Sequence, residues 1–179
     1  GPVVGTMGRL VPSKGVDQLL EAFGHVRAKI PQARFVIVGD GAERARLERQ
    51  AARLGLSPSV RFAGWGADAR AILSLMDVFV FMPATEEGFG LSLLEAMASG
   101  RPVVAIRRGG GASWVLDRAQ EDVMVVEPDP ARIGDAVAGL LQNAGEQARL
   151  SSRARQAVTS TYDFARVVEQ VEDVYRAAT

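Results

Sequence analysis

Short β-branched, apolar runs alternate along the chain with longer segments in which apolar residues return every three or four positions. The runs at 3–6, 34–38, 60–63, 78–82, 103–106 and 123–126 predict strands. The segments between them predict helices near 16–29, 42–54, 68–76, 91–99 and 112–118. In the first of these, Val16, Leu19, Phe23, Val26 and Ile30 share one face and Pro31 ends the pattern. Gly55 and Gly100 stand where the second and fourth helices need a left-handed cap. After Pro128-Asp129-Pro130 the strand pattern stops, and the remainder predicts helices near 131–143, 145–160 and 164–177.

The strand runs are too apolar for a half-exposed sheet, so they predict a parallel sheet covered on both faces. Right-handed crossovers make this a doubly wound α/β fold with six parallel strands and extra C-terminal helices. Ligands of such folds bind outside the carboxyl ends of the strands. That rule selects the loops 7–15, 39–42, 64–68, 83–91 and 107–112.

A length of 179 residues, 47% hydrophobic and 23% charged, fits one globular domain spanning 1–179. Lys and Arg number 21 and Asp and Glu number 21, so no net field points to nucleic acid. The absence of cysteine excludes disulfides, thiol nucleophiles and cysteine-based zinc sites, and leaves a reducing cytosol as the default. No apolar stretch approaches the ~18 residues needed to span a bilayer. The N-terminus opens directly on a β-branched run without a charged leader, as expected of an excised domain.

Two of the selected loops carry chemistry. The first, Gly8-Arg9-Leu10-Val11-Pro12-Ser13-Lys14-Gly15, puts a guanidinium and an ammonium at a strand's carboxyl end, beside the positive end of a helix. A diphosphate needs cations there, and Lys14 is one of only two lysines beside 19 arginines. The same residues also fit a solvated strand–helix turn. The second loop runs through Glu87-Gly88-Phe89-Gly90-Leu91-Ser92 into a helix bearing Glu95. Its glycines let bare backbone approach a ligand, and its two carboxylates can accept hydrogen bonds from sugar hydroxyls. The spacing alone means little, since 11 glutamates give about 0.7 such pairs by chance.

The surrounding string supplies the specificity. Glu87-x7-Glu95 within EGFGLSLLEAMASG, after GRLVPSKG and before RPVVA, closely resembles the group 1 family of retaining, GT-B-fold glycosyltransferases. The resemblance runs from about residue 3 to 178 and includes Val38-Gly39-Asp40-Gly41, the strand end at 60–64 and the closing helix. It implies a Rossmann-like domain, the C-terminal half of a GT-B fold, which binds a nucleoside-diphosphate sugar. The N-terminal acceptor domain lies outside this chain.

Residue by residue, the resemblance implies that Arg9 and Lys14, next to Gly8, hold the donor diphosphate in place of a metal. Glu87 contacts the transferred sugar and Glu95 the ribose hydroxyls. The backbone around Gly88, Phe89, Gly90, Leu91 and Ser92 meets sugar and phosphates, while Gly39 to Gly41 and Gly64-Trp65 border the nucleobase; by its residue type alone Trp65 fits a packing role equally well. The implied role is carbohydrate biosynthesis, with no cofactor, no metal and no nucleic-acid partner. The implied location is cytoplasmic, at the inner membrane face through the missing domain. This domain alone is expected to bind donor and transfer little. Two alternatives stay open at this point: a nucleotide-sugar-binding or regulatory module without transfer, and a nucleotide-sugar epimerase on the same fold.

The chain departs from the family in one stretch. Gly109-Gly110-Gly111-Ala112-Ser113-Trp114 replaces a glycine pair followed by proline and glutamate, and Asp122 stands where a later glycine is expected. Other features carry bland readings. His25, the only histidine, falls on a polar helix face, so Ser–His acyl transfer is disfavoured. No Asp-x-Asp occurs, and Gly39-Asp40-Gly41 lacks the third glycine of a dinucleotide fingerprint. Arg107-Arg108 fits a second phosphate contact but reads more simply as a solvated pair, and Met76, Met82 and Met97 read as core filling. The apolar stripe of 164–177 packs on the core in a lone domain, or is partly exposed if the closing helix reaches toward another domain as in two-domain relatives.

Overall fold

The computed structural model describes residues 1–66 and 68–177. Six strands form one sheet: β1 (Val3–Met7), β2 (Arg34–Val38), β3 (Val60–Gly64), β4 (Val78–Phe81), β5 (Val103–Ile106) and β6 (Met124–Val126). Every pairing is parallel and the order is β3-β2-β1-β4-β5-β6. The eight helices described are α1 (Val16–Lys29), α2 (Arg44–Arg53), α3 (Ala69–Ser74), α4 (Leu91–Ala98), α5 (Gly110–Arg118), α6 (Pro130–Leu141), α7 (Ala144–Thr161) and α8 (Phe164–Ala177).

Both faces of the central strands are buried, which is why their sequences lack polar alternation. Val78 and Val80 of β4 enter one core, and Phe79 and Phe81 enter the other. Likewise Val104 and Ile106 of β5 oppose Val103 and Ala105. The first core draws Leu19, Leu20 and Phe23 from α1, Leu47 from α2, and Ile133 and Val137 from α6. Phe23 stacks on Phe35 at 4.9 Å between ring centroids. The second core takes Leu93 and Met97 from α4, Val115 and Leu116 from α5, and Ala154 and Val158 from α7. The chain therefore covers both faces of its sheet from its own helices. Met76, Met82 and Met97 are buried as expected, and His25 is exposed.

Most boundaries shift from the sequence pattern by one or two residues, and three of the shifts have a local cause. Helix α3 is shorter because Asp68 caps it, accepting from the amides of Arg70 and Ala71. Its far end stops where Arg101 donates to the carbonyls of Ser74 and Met76. Helix α5 starts at Gly110 rather than 112, for a reason given below. The loop expected over 64–68 contains residue 67, and the family resemblance reaches residue 178; both positions lie outside the described residues. Of the two readings of the α8 stripe, the exposed one holds, with Val171 at 50% and Val174 at 69%.

The sheet order fixes where a ligand can sit. From β1 the chain moves outward to β2 and β3, then crosses back to place β4 on the other side of β1. The loops after β1 and β4 part at this reversal and leave a crevice between them.

Candidate functional site

The β1 loop is held by its backbone. The amides of Gly8 and Leu10 donate to the carbonyls of Val38 and Asp40, each at 2.9 Å. Leu10 is buried, so its neighbour Arg9 is turned outward into the crevice. After a short turn at Pro12–Lys14, Gly15 adopts φ 64° and passes beneath the end of β4. A Cβ there would lie 2.7 Å from the Met82 carbonyl oxygen, so only glycine fits. The Ser13 carbonyl accepts from the Ala84 amide at 2.9 Å, joining the β1 and β4 loops.

Across the crevice, α4 divides its residues by face. Leu93, Leu94, Ala96 and Met97 are buried, leaving Leu91, Ser92 and Glu95 toward the opening. Gly90 starts the helix in a left-handed conformation, φ 80°, and its carbonyl accepts from Leu93 and Leu94. The amides of Leu91 and Ser92 precede the first intrahelical bonds, as at any helix start, and give this end positive character. Glu95 stands exposed on the cleft wall, yet surrounding protein displaces enough water to push its carboxyl above the ordinary range.

These elements enclose a cleft of about 680 Å³, lined by Gly8, Arg9, Lys14, Trp65, Glu87, Phe89, Gly90, Leu91, Ser92 and Glu95. Lys14 and Glu87 meet in an ion pair from Nζ to Oε2, with side chains 27% and 19% exposed. Arg9 has no ion-pair or hydrogen-bond partner among the described residues. Trp65 is 76% exposed and lines the cleft rather than packing in a core.

Three of the expected donor-binding positions stand behind the lining. Gly39 and Gly41 press against the carbonyls of Gly8 and Leu10, where a Cβ would collide, so they shape the β1 loop from behind. Gly88 is also outside the lining, but it has open space where a Cβ would stand. Met7, Val38, Gly64, Gly66 and Ala69 complete the wall; Val38 and Ala69 lie outside the selected loops, being an ordinary strand end and helix start.

The departure at 109–114 also has a physical account. A Cβ on Gly110 would strike the Glu87 carbonyl, and one on Gly111 the Gly88 carbonyl. The Ala112 amide donates to the Glu87 carbonyl at 3.2 Å. Gly110 and Gly111 thus let the start of α5 lie directly on the backbone that carries Glu87, which is why α5 begins two residues early. Asp122 has no positive φ and needs no glycine; it receives Arg153 Nε at 2.9 Å and ties the turn to α7. Arg107 pairs with Asp117 at 2.8 Å, outside the cleft.

Among the described residues, no helix is long and apolar enough to cross a membrane. Nor is there a group of three or more His, Asp or Glu side chains placed to hold a metal among them.

The lipopolysaccharide core biosynthesis glycosyltransferase LpsE of Rhizobium meliloti (strain 1021) is 36% identical over 174 residues, which cover 97% of this chain and 48% of LpsE. HepE of Anabaena, solved in complex with UDP, superposes with a TM-score of 0.89 at 26% identity, over 98% of this chain and 48% of HepE. HepE has also been solved with UDP-glucose. The C-terminal domain of LpcC, a glycosyl transferase group 1 family protein from Francisella tularensis, superposes with a TM-score of 0.79 at 28% identity, over 91% of this chain and 87% of that domain. The chain thus spans about half the length of LpsE and HepE and most of the LpcC domain. The model of the family described as Glycosyl transferases group 1 matches residues 1–157, and with the Rossmann-like sheet and its cleft this makes the chain a member of that family.

Proposed function

We propose that this chain is the donor-binding half of a retaining glycosyltransferase, which moves a sugar from a nucleoside diphosphate to an acceptor hydroxyl. One observation carries the reading: Arg9, Lys14, Glu87, Glu95 and the start of α4 converge on a single cleft at the strand-order reversal. The diphosphate lies against Arg9, Lys14 and the α4 amides, which stabilise the charge that grows on the leaving phosphate as its bond to the sugar breaks. No metal is required for that neutralisation. Glu87 accepts hydrogen bonds from the sugar and Glu95 from the ribose, while Trp65 offers a face to the base. The acceptor hydroxyl attacks from the side the nucleotide leaves, with retention, and is brought by a separate N-terminal half. UDP in the HepE complex supports a nucleoside diphosphate as ligand. We assign the activity to the cytoplasm, at the inner membrane face.

Calorimetric titration with UDP, GDP and ADP in the absence of metal tests this. One nucleotide should bind best, and Arg9→Ala/Lys14→Ala should weaken it by about 2–4 kcal/mol, at about 1.5–3 per charge-assisted contact before non-additivity. Unchanged binding by the double variant would overturn the diphosphate assignment. Appreciable sugar transfer by the 179-residue chain alone would overturn the division of labour between halves.

A further inference from the structure

The two cleft cations are not equivalent. Arg9 is unpaired among the described residues, whereas Lys14 already donates to Glu87. The pair spans two loops whose backbones are fixed independently of it. Ser13 and Ala84 join the loops, and Ala112 holds the Glu87 carbonyl. Side-chain exposures of 27% and 19% leave the attraction only partly screened.

Resting on the donor reading above, we infer that the Lys14–Glu87 ion pair sets the preference of the cleft for an intact sugar nucleotide over the free nucleoside diphosphate. A free nucleoside diphosphate draws Lys14 away and leaves the Glu87 carboxylate, its side chain 19% exposed, without its partner. A sugar nucleotide also draws Lys14 away, but its sugar hydroxyls donate to Glu87, so neither group is left without a partner. Arg9 attracts both ligands, the free nucleoside diphosphate more strongly through its additional phosphate charge, so a preference for the sugar nucleotide has to come from Glu87. The nucleotide left after transfer is therefore the disfavoured occupant, and the ion pair re-forms behind it as it departs.

The test is a double-mutant cycle read by calorimetry. The wild-type chain, Glu87→Gln, Lys14→Gln and the double variant are titrated with UDP, GDP, ADP and their glucose conjugates, and melting curves establish that each variant is folded. Glu87→Gln should tighten the best-bound nucleoside diphosphate by about two- to fivefold, the range of a partly exposed ion pair, while erasing the advantage of its glucose conjugate. On the Lys14→Gln background the same change should leave nucleoside-diphosphate affinity unaltered. No tightening on Glu87→Gln would overturn the inference. So would tightening of equal size without Lys14, which is plain repulsion between Glu87 and phosphate. Failure of the folded wild type to bind any of the three nucleotides would instead overturn the donor reading itself.

Discussion

Glu95 illustrates a residue whose cost to the empty protein and use to the bound one have opposite signs. Protein around its carboxyl raises its pKa through desolvation. For a carboxyl raised on folding, the favourable contribution is complete below the unfolded carboxylate value and is lost as pH rises through the folded value. Glu95→Gln should therefore raise the melting temperature near pH 7 and change it little near pH 4. The same substitution should weaken nucleotide binding by about 1.5–3 kcal/mol, the worth of a hydrogen bond to a charged group. Thermal melts at the two pH values, beside one titration, separate the two effects. A fall in stability at pH 7 would show that the carboxylate is supported by the empty protein.

Among the elements, α5 has the least expected role, because its glycine-rich start serves the neighbouring loop rather than a ligand. Gly110→Ala places a Cβ against the Glu87 carbonyl and also strains a φ of 70°. It should destabilise the chain by about 1–3 kcal/mol and weaken nucleotide binding through the displaced Glu87 backbone. Gly139→Ala is the control. Gly139 lies inside α6 with ordinary φ and open space where the Cβ would go. That change should stabilise by about 0.5–1 kcal/mol and leave binding alone. Chemical denaturation of both variants checks the contrast.

At the scale of the whole molecule, stability lies in the two cores and not in the last helix. Phe79, fully buried on the α4 side of the sheet, should cost about 3–5 kcal/mol when cut to alanine, or roughly 6–20 °C in melting temperature. Ending the chain after Asp163 should shift the melting temperature far less, because the α8 stripe of Val167, Val168, Val171 and Val174 is exposed. Calorimetric melts of the two variants measure this directly, and a large loss on truncation would mean that α8 packs in solution.

The strands and helices were legible in the amino-acid pattern, because burial on both sheet faces leaves unbroken apolar runs and helices repeat their apolar positions at the helical period. Also legible was which loops carry cations and carboxylates, since Arg9, Lys14, Glu87 and Glu95 fall at strand and helix ends by simple position. The order of the strands was decided only in three dimensions: nothing local to β1 or β4 says that they pair, yet that pairing makes the cleft. Tertiary packing also separated cleft-lining glycines from those beneath them. Gly39, Gly41, Gly110 and Gly111 are indistinguishable in sequence from ligand-facing glycines, and only the carbonyls pressed against them reveal their task. The Lys14–Glu87 contact belongs to the same class. It joins residues 73 positions apart, and no local pattern encodes a distance set by two loops meeting across a sheet.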